Sequence, residues 1–324
     1  MIDLKRLANA VVFALITLSG IVYAGEYPER PVKIVVPYSP GGPADLFARV
    51  VANKLTTTFG KNFFLENRPG AGLVIGAQYV ANSTPDGYTL LLAASSMLVP
   101  TAARGRTPND NLTDFFCVSL IGNLPMVLIV NVSIPVRNVK ELIDYTKKRH
   151  NEINYASSGN GSLTHIAGAL FDFHAGLKMV HIPYRGINEA LTDLIANQIQ
   201  LSFAGAPIAL PNAKSGKVRA LAVTSANRSL SAPELPTIAE SGMTGYDVTP
   251  WYGIVAPVAT PIDIINTLHR EIVRSMQGAD IKERWMQWSG DPVYSKTPAE
   301  FSALMKSETE KWAKLLKQTG LKLE

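Results

Sequence analysis

Residues 37–45, Pro37-Tyr38-Ser39-Pro40-Gly41-Gly42-Pro43-Ala44-Asp45, lie between a β-type run at 32–36 and a helical apolar pattern. That pattern is carried by Leu46, Phe47, Val50, Val51 and Leu55. A loop of this build leaves unpaired backbone N–H groups at the start of the helix, where they and the helix dipole favour an anion. The same order recurs further on. Strand residues Asn154 and Tyr155 lead into Ser157-Ser158-Gly159-Asn160-Gly161-Ser162, and a helix opens with Leu163, Thr164 and His165. Two such helix ends facing across a cleft would clamp an anion from both sides.

Few residues could turn that binding into catalysis. Asp45 falls in the first turn of its helix, where a carboxylate is favoured; it either caps the helix or orients a ligand group or water. His165 follows Ser162 by three residues and either caps the helix or hydrogen-bonds a ligand. Arg185 could supply a counter-charge to a carboxylate, although an exposed ion pair is the simpler reading. The glycines at 41–42 are not followed by the lysine a phosphate loop requires. Gly70 to Gly76 has one residue too many for a dinucleotide fingerprint, and Ser95-Ser96 stands where an acid would meet the ribose. Neither Gly-x-Ser-x-Gly nor His-Glu-x-x-His occurs. The five histidines, at 150, 165, 174, 181 and 269, lack metal-ligand spacing. No metal and no cofactor is expected, and binding outweighs turnover.

The chain has 324 residues, 47% apolar and 18% charged, enough for two lobes and inconsistent with disorder. Its formal charge of +5 is modest, and Lys147-Lys148-Arg149, the only tight basic run, closes a helix. No basic stripe interleaved with aromatics marks a nucleic-acid surface. Lys5 and Arg6 precede an apolar run at 10–22, and Val22-Tyr23-Ala24 offers a cleavage point, the layout of a secretory signal peptide at 1–24. The run is short for a membrane span. Cys117 is the only cysteine, which excludes an internal disulfide; its apolar neighbours read as a buried core position.

Strands and helices alternate through most of the length, which predicts an α/β architecture with mixed, mostly parallel sheets flanked by helices. Helices are expected at 74–81, 139–148, 163–174, 188–197, 262–276, 279–288 and 298–317. Residues 225–250, rich in Ser, Pro, Glu and Gly, read as a long irregular connection.

A set of motifs carries a family resemblance. It comprises residues 37–45 with Ala48-Arg49, Glu66-Asn67-Arg68-Pro69-Gly70-Ala71-Gly72, Ile75-Gly76-Ala77 and Pro85-Asp86-Gly87-Tyr88-Thr89-Leu90. Further on stand Tyr155-Ala156-Ser157-Ser158-Gly159 with Gly161, Ser162 and His165, then His181-Ile182-Pro183-Tyr184-Arg185-Gly186. Arg219-Ala220-Leu221-Ala222-Val223-Thr224, Leu235-Pro236-Thr237, Glu240-Ser241-Gly242, Trp251-Tyr252-Gly253 and Lys311-Trp312 complete it. From about Tyr27 to its end the chain resembles the tripartite tricarboxylate transporter substrate-binding proteins, the Bug or TctC-like family of periplasmic receptors.

The resemblance implies a two-lobed, type II periplasmic-binding-protein fold closing on a small di- or tricarboxylate in a cleft between lobes. Lobe 1 would comprise 25–126 with 248–324, and lobe 2 would comprise 127–247, hinged near 126–132 and 248–254. The ligand carboxylate would sit over Tyr38, Ser39, Gly41, Gly42 and Asp45 on one side. Ser157, Ser158, Gly159, Gly161 and Ser162 would face it on the other, with Ser95, His165, Tyr184 and Ala204 as further contacts. The implied partners are that ligand and the permease subunits of a tripartite tricarboxylate-type transporter, with a monomeric receptor in the periplasm. A receptor presenting its ligand to a signalling protein would use the same pocket, and an exported α/β enzyme would need a reactive pair such as Asp45 with His165. The chain departs from the family at Leu73, Asn197 and Ala259, where glycine is usual, and most of all over 95–114.

Overall fold

The computed structural model describes residues 27–70, 73–99, 102 and 114–320. The expected leader at 1–24 and most of the divergent 95–114 stretch fall outside them. Two five-stranded sheets organise the described residues. The first contains β1 (Val32–Val36), β2 (Phe63–Asn67), β3 (Thr89–Ala94), β4 (Phe115–Asn123) and β10 (Trp251–Pro257), in the order β2-β1-β3-β10-β4. The second contains β5 (Met126–Asn131), β6 (Asn154–Ser157), β7 (Val180–Pro183), β8 (Leu201–Gly205) and β9 (Val218–Val223), in the order β7-β6-β8-β5-β9.

The two sheets share one plan. β1 runs parallel to β2 and β3, as β6 does to β7 and β8. The fourth strand of each sheet, β10 or β5, is antiparallel to both neighbours. Each of these reversed strands arrives from the other sheet: β5 follows β4 and β10 follows β9. The crossings therefore lie at 124–125 and 224–250, just ahead of the strands where the hinges were expected. Met126, expected in the first lobe, pairs with Gly205 in the second sheet. The crossing segments are bonded to each other, Leu124 N–H donating to the Pro250 carbonyl at 2.8 Å and Thr224 N–H to Met126 O at 2.9 Å.

Helices cover the sheet faces: α1 (Pro43–Phe59), α2 (Val74–Ala81), α3 (Val139–Lys147), α4 (Leu163–Ala175), α5 (Ile187–Ile195), α6 (Ala206–Lys214), α7 (Ile262–Met276), α8 (Ala279–Gln287) and α9 (Pro298–Thr319). Leu90, Leu91 and Leu92 of β3 are all fully buried, because both faces of that strand are covered. Ile34, Leu90 and Leu92 pack with Phe47 and Leu55 of α1 and with Leu268 and Ile272 of α7. The opposite face, Val35 and Leu91, belongs to a cluster that runs through Phe301 and Trp312 of α9 to Ile166 and Phe171 of α4. α9 thus ties the first sheet to a helix of the second.

Two elements escaped the sequence reading. β4 has no clean alternation, because it is covered on both faces: Phe116 alone is exposed and Asn123 half-buried, the rest of the strand being buried. α6 carries two prolines, which obscure a helical pattern; Pro207 sits in the first turn, where its missing N–H costs nothing, and only Pro211 lies inside the helix. Cys117 is buried, as its neighbours suggested, its thiol pushed up to about 12 by burial.

Candidate functional site

The first loop joins β1 to α1. Gly42 caps the helix in an extended conformation with no side-chain cap, and Pro43 follows at the first helical position. Pro43 has no N–H and Leu46 N–H already reaches Gly42 O at 3.0 Å. The N–H groups of Ala44 and Asp45 are left without a partner among the described residues. Asp45 itself is 1% exposed and looks inward. Its Oδ2 accepts from Gly41 N–H at 3.1 Å and from Arg49 Nε at 2.9 Å. Its Oδ1 accepts from Asn67 Nδ2 at 2.9 Å. Burial pushes the carboxyl up, but the bonds from Asn67, Gly41 and Arg49 outweigh it and hold Asp45 below its ordinary 3.8.

Asn67 ends β2, and its amide also donates to Tyr38 O at 3.0 Å. Tyr38 in turn shares a 2.7 Å bond with Ser96 Oγ. Arg68 N–H donates to Val36 O at 2.8 Å, while the Arg68 guanidinium lies over the Tyr79 ring and pairs with Glu66. The Glu66-Asn67-Arg68 run therefore fastens the loop from the neighbouring strand. α2 supports it from the other side: a Cβ on Gly76 would stand 2.9 Å from Pro37 Cβ, so only glycine lets the helix pass this close.

The second loop joins β6 to α4 and is bonded throughout. Ser162 caps the helix, its Oγ accepting from His165 N–H at 3.2 Å and donating to Gly159 O at 2.7 Å. Thr164 Oγ1 accepts from Ser158 N–H at 2.9 Å. Ser157 Oγ accepts from Gly159 N–H at 3.2 Å and lies 2.6 Å from His181 Nε2. His165 Nδ1 accepts from Gly161 N–H at 3.1 Å. What remains open is again the first turn: Leu163 and Thr164 N–H have no partner among the described residues. Both histidines are held below the ordinary imidazole range by burial, His181 to about 4 with the neighbouring His165 ring adding to it.

The structure thus gathers Tyr38, Ser39, Gly41, Gly42 and Asp45 in one loop and Ser157, Ser158, Gly159, Gly161, Ser162 and His165 in the other. The remaining expected contacts sit differently. Ser95 is 1% exposed and its Oγ accepts from Trp251 N–H at 3.2 Å, tying β3 to β10. Ala204 is buried in an apolar cluster with Val127 and Ala209. The Tyr184 hydroxyl donates to Asp193 of α5 at 2.8 Å. Arg185 is exposed and makes no ion pair with a described residue. Asn67, Ser96, Thr164 and His181 were not singled out from sequence, since each acts across an element boundary. Among the described residues no group of three or more His, Cys, Asp or Glu is placed to hold a metal. No helix there is long and apolar enough to cross a membrane.

Two sheets of one plan, joined by paired crossings, with a glycine loop and an open helix end at the same place in each, define a two-lobed periplasmic-binding-protein fold. The family described as "Tripartite tricarboxylate transporter family receptor" matches residues 47–321. Protein BugT of Bordetella pertussis is 35% identical over 320 residues, 97% of this chain and 98% of that one. The structure of the periplasmic binding protein BugD, 34% identical, superposes with a TM-score of 0.74 over 91% of this chain and 99% of that one. That of Rpa4515 from R. palustris with adipate, 32% identical, gives 0.79 over 91% and 99%. The chain belongs to the tripartite tricarboxylate transporter receptor family.

Proposed function

We propose that this chain is a periplasmic solute receptor that captures a small organic carboxylate between two lobes, 25–125 with 248–324 and 126–247. It would deliver that ligand to the membrane subunits of a tripartite tricarboxylate-type transporter. The observation that carries the reading is the matched pair of helix starts, Ala44 and Asp45 in α1, Leu163 and Thr164 in α4. Each offers backbone N–H groups at the positive end of a helix dipole. Such donors suit any carboxylate, so they supply affinity, while the rest of the cleft supplies selectivity. The adipate held by Rpa4515 supports a carboxylate as ligand. The expected leader and the kinship with BugD support the periplasm as location.

Closure would be a hinge motion about the bonded crossings at 124–125 and 224–250. Turnover is disfavoured by the bonding of the one reactive pair nominated from sequence. Asp45 is committed to Gly41, Asn67 and Arg49, and His165 Nδ1 to Gly161.

The test is a thermal-shift titration of the chain from Gly25 against di- and tricarboxylates, with neutral and phosphate-bearing controls at equal ionic strength. A ligand at about 100 times its Kd stabilises by roughly 2.7 kcal/mol, about four degrees in a chain of this size. A shift confined to carboxylates, with the compound recovered unchanged, supports the receptor. Folded, ligand-free protein that responds to none of them would overturn it.

A further inference from the structure

The two loops are closed by the same clasp, made with different chemistry. Asp45 and His165 both stand third in their helices, and both accept from the N–H of a glycine four residues back, at 3.1 Å in each case. Both glycines need a left-handed backbone, φ being +86° at Gly41 and +72° at Gly161. Each clasp residue is held from the corresponding edge strand. Asn67 of β2 donates to Asp45, whereas His181 of β7 stacks on His165, ring centroids 3.8 Å apart and planes 3° from parallel. His181 also bonds Ser157 at the opposite end of the loop, so the stack braces both ends at once.

We propose that His165 and His181 are positioning residues for the ligand, a stacked pair that must stay neutral to hold the second loop so that Leu163 and Thr164 N–H converge on the carboxylate. This rests on the receptor reading above. Neutrality follows from the bonding. Only an unprotonated Nδ1 can accept from Gly161, which places the His165 proton on Nε2, and an imidazolium offers donors on both nitrogens. Two cationic rings at this spacing would also repel. An open cavity of about 380 Å³ is lined by both rings, so solvent protons can reach the pair. The other titratable groups lining it are Tyr155 of β6, whose ring lies 4.9 Å from His181, and Asp172 of α4. Burial raises both of these groups, which favours their uncharged forms beside the pair.

Two substitutions separate positioning from mere support. His165→Asn keeps an acceptor near the place of Nδ1, whereas His165→Phe keeps a ring on His181 but has no acceptor. Titrated with the carboxylate that shifts the wild-type chain, His165→Phe should bind at least tenfold more weakly and His165→Asn within threefold of wild type. Equal affinities in wild type and His165→Phe would overturn the proposal alone; a wild type that binds no carboxylate overturns the receptor reading and this proposal with it. The wild-type chain gives a second measurement should His165→Phe not fold. Imidazole ¹⁵N spectra at pH 7 should show His165 protonated on Nε2, with its Nδ1 resonance moving on ligand addition. Protonation on Nδ1, or a resonance the ligand leaves unmoved, would overturn it equally.

Discussion

Asn67 reaches from the end of β2 to Asp45 at 2.9 Å while the same amide holds Tyr38 O at 3.0 Å. One side chain on an edge strand thus fixes both ends of the first loop. Replacing it with leucine would strand an oxygen of a 1%-exposed carboxylate and a loop carbonyl. Asn67→Leu is expected to cost about 1–3 kcal/mol in urea unfolding and to weaken ligand binding roughly tenfold by calorimetry. An unchanged midpoint and affinity would show that the loop holds itself.

Asp45→Ala should weaken binding while the sheets still form, because it frees Gly41 without touching the core. The measurement is ligand affinity alongside far-ultraviolet circular dichroism. Loss of affinity with an unaltered spectrum is the expected pairing; wild-type affinity would remove the clasp from the site.

A Cβ added at Gly41 would meet nothing within 4 Å, so only its φ of +86° and the approach of a ligand argue for glycine there. Gly41→Ala should cost about 1 kcal/mol for the left-handed backbone. Gly41→Val should lose ligand affinity well beyond that, as the branched side chain fills the space above the loop. Equal affinities for the two variants would mean that no ligand comes close.

Leu73, Asn197 and Ala259, where the family resemblance led to an expectation of glycine, all have positive φ: 79°, 59° and 70°. Ala259→Gly is the cleanest test, since Asn tolerates this region and Leu73 adds apolar packing. It should raise stability by roughly 0.5–1 kcal/mol despite the entropy glycine carries in the unfolded chain. A lower urea midpoint would count against it.

Acid should destabilise the chain in two stages. His181 sits at about 4 against 6.5 for an ordinary imidazole, so the unfolded chain takes up that proton first. Its contribution is complete above about 6.5 and is lost as pH falls towards 4, at no more than about 1.4 kcal/mol per unit and less for a half-buried ring. Asp45, held below 3.8, keeps its contribution until pH falls through that lower range. His181→Phe should flatten the slope of the urea midpoint between pH 6.5 and 4.5; parallel slopes would clear His181 of the effect.

The alternation of strands and helices, the start of α2 at Val74 and both glycine loops were legible because each rests on local pattern and turn chemistry. The reversed strands were not. The change of lobe near Met126–Asn131 and Trp251–Pro257 was expected only from the family resemblance, and nothing in either run says that the strand opposes its neighbours; that depends on which edges are still open. The site was legible to the same depth. Gly41 and Gly161 announce themselves, but Asn67 and His181 act only once β2 has paired with β1 and β7 with β6. Ser95 illustrates the converse: a polar residue beside the right loop whose hydroxyl the β3–β10 pairing had already claimed.

The place of β10 between β3 and β4 sets an order of assembly. As the chain emerges from its N-terminus, every strand of the second sheet is available once Val223 has appeared. The first sheet, begun earlier, keeps a gap between β3 and β4 until 251–257 arrives. The half of the protein that starts first therefore finishes last, and until then it carries two open strand edges that can pair with a neighbouring chain. A truncation before Trp251 would leave the later-made half whole and the earlier one unsealed.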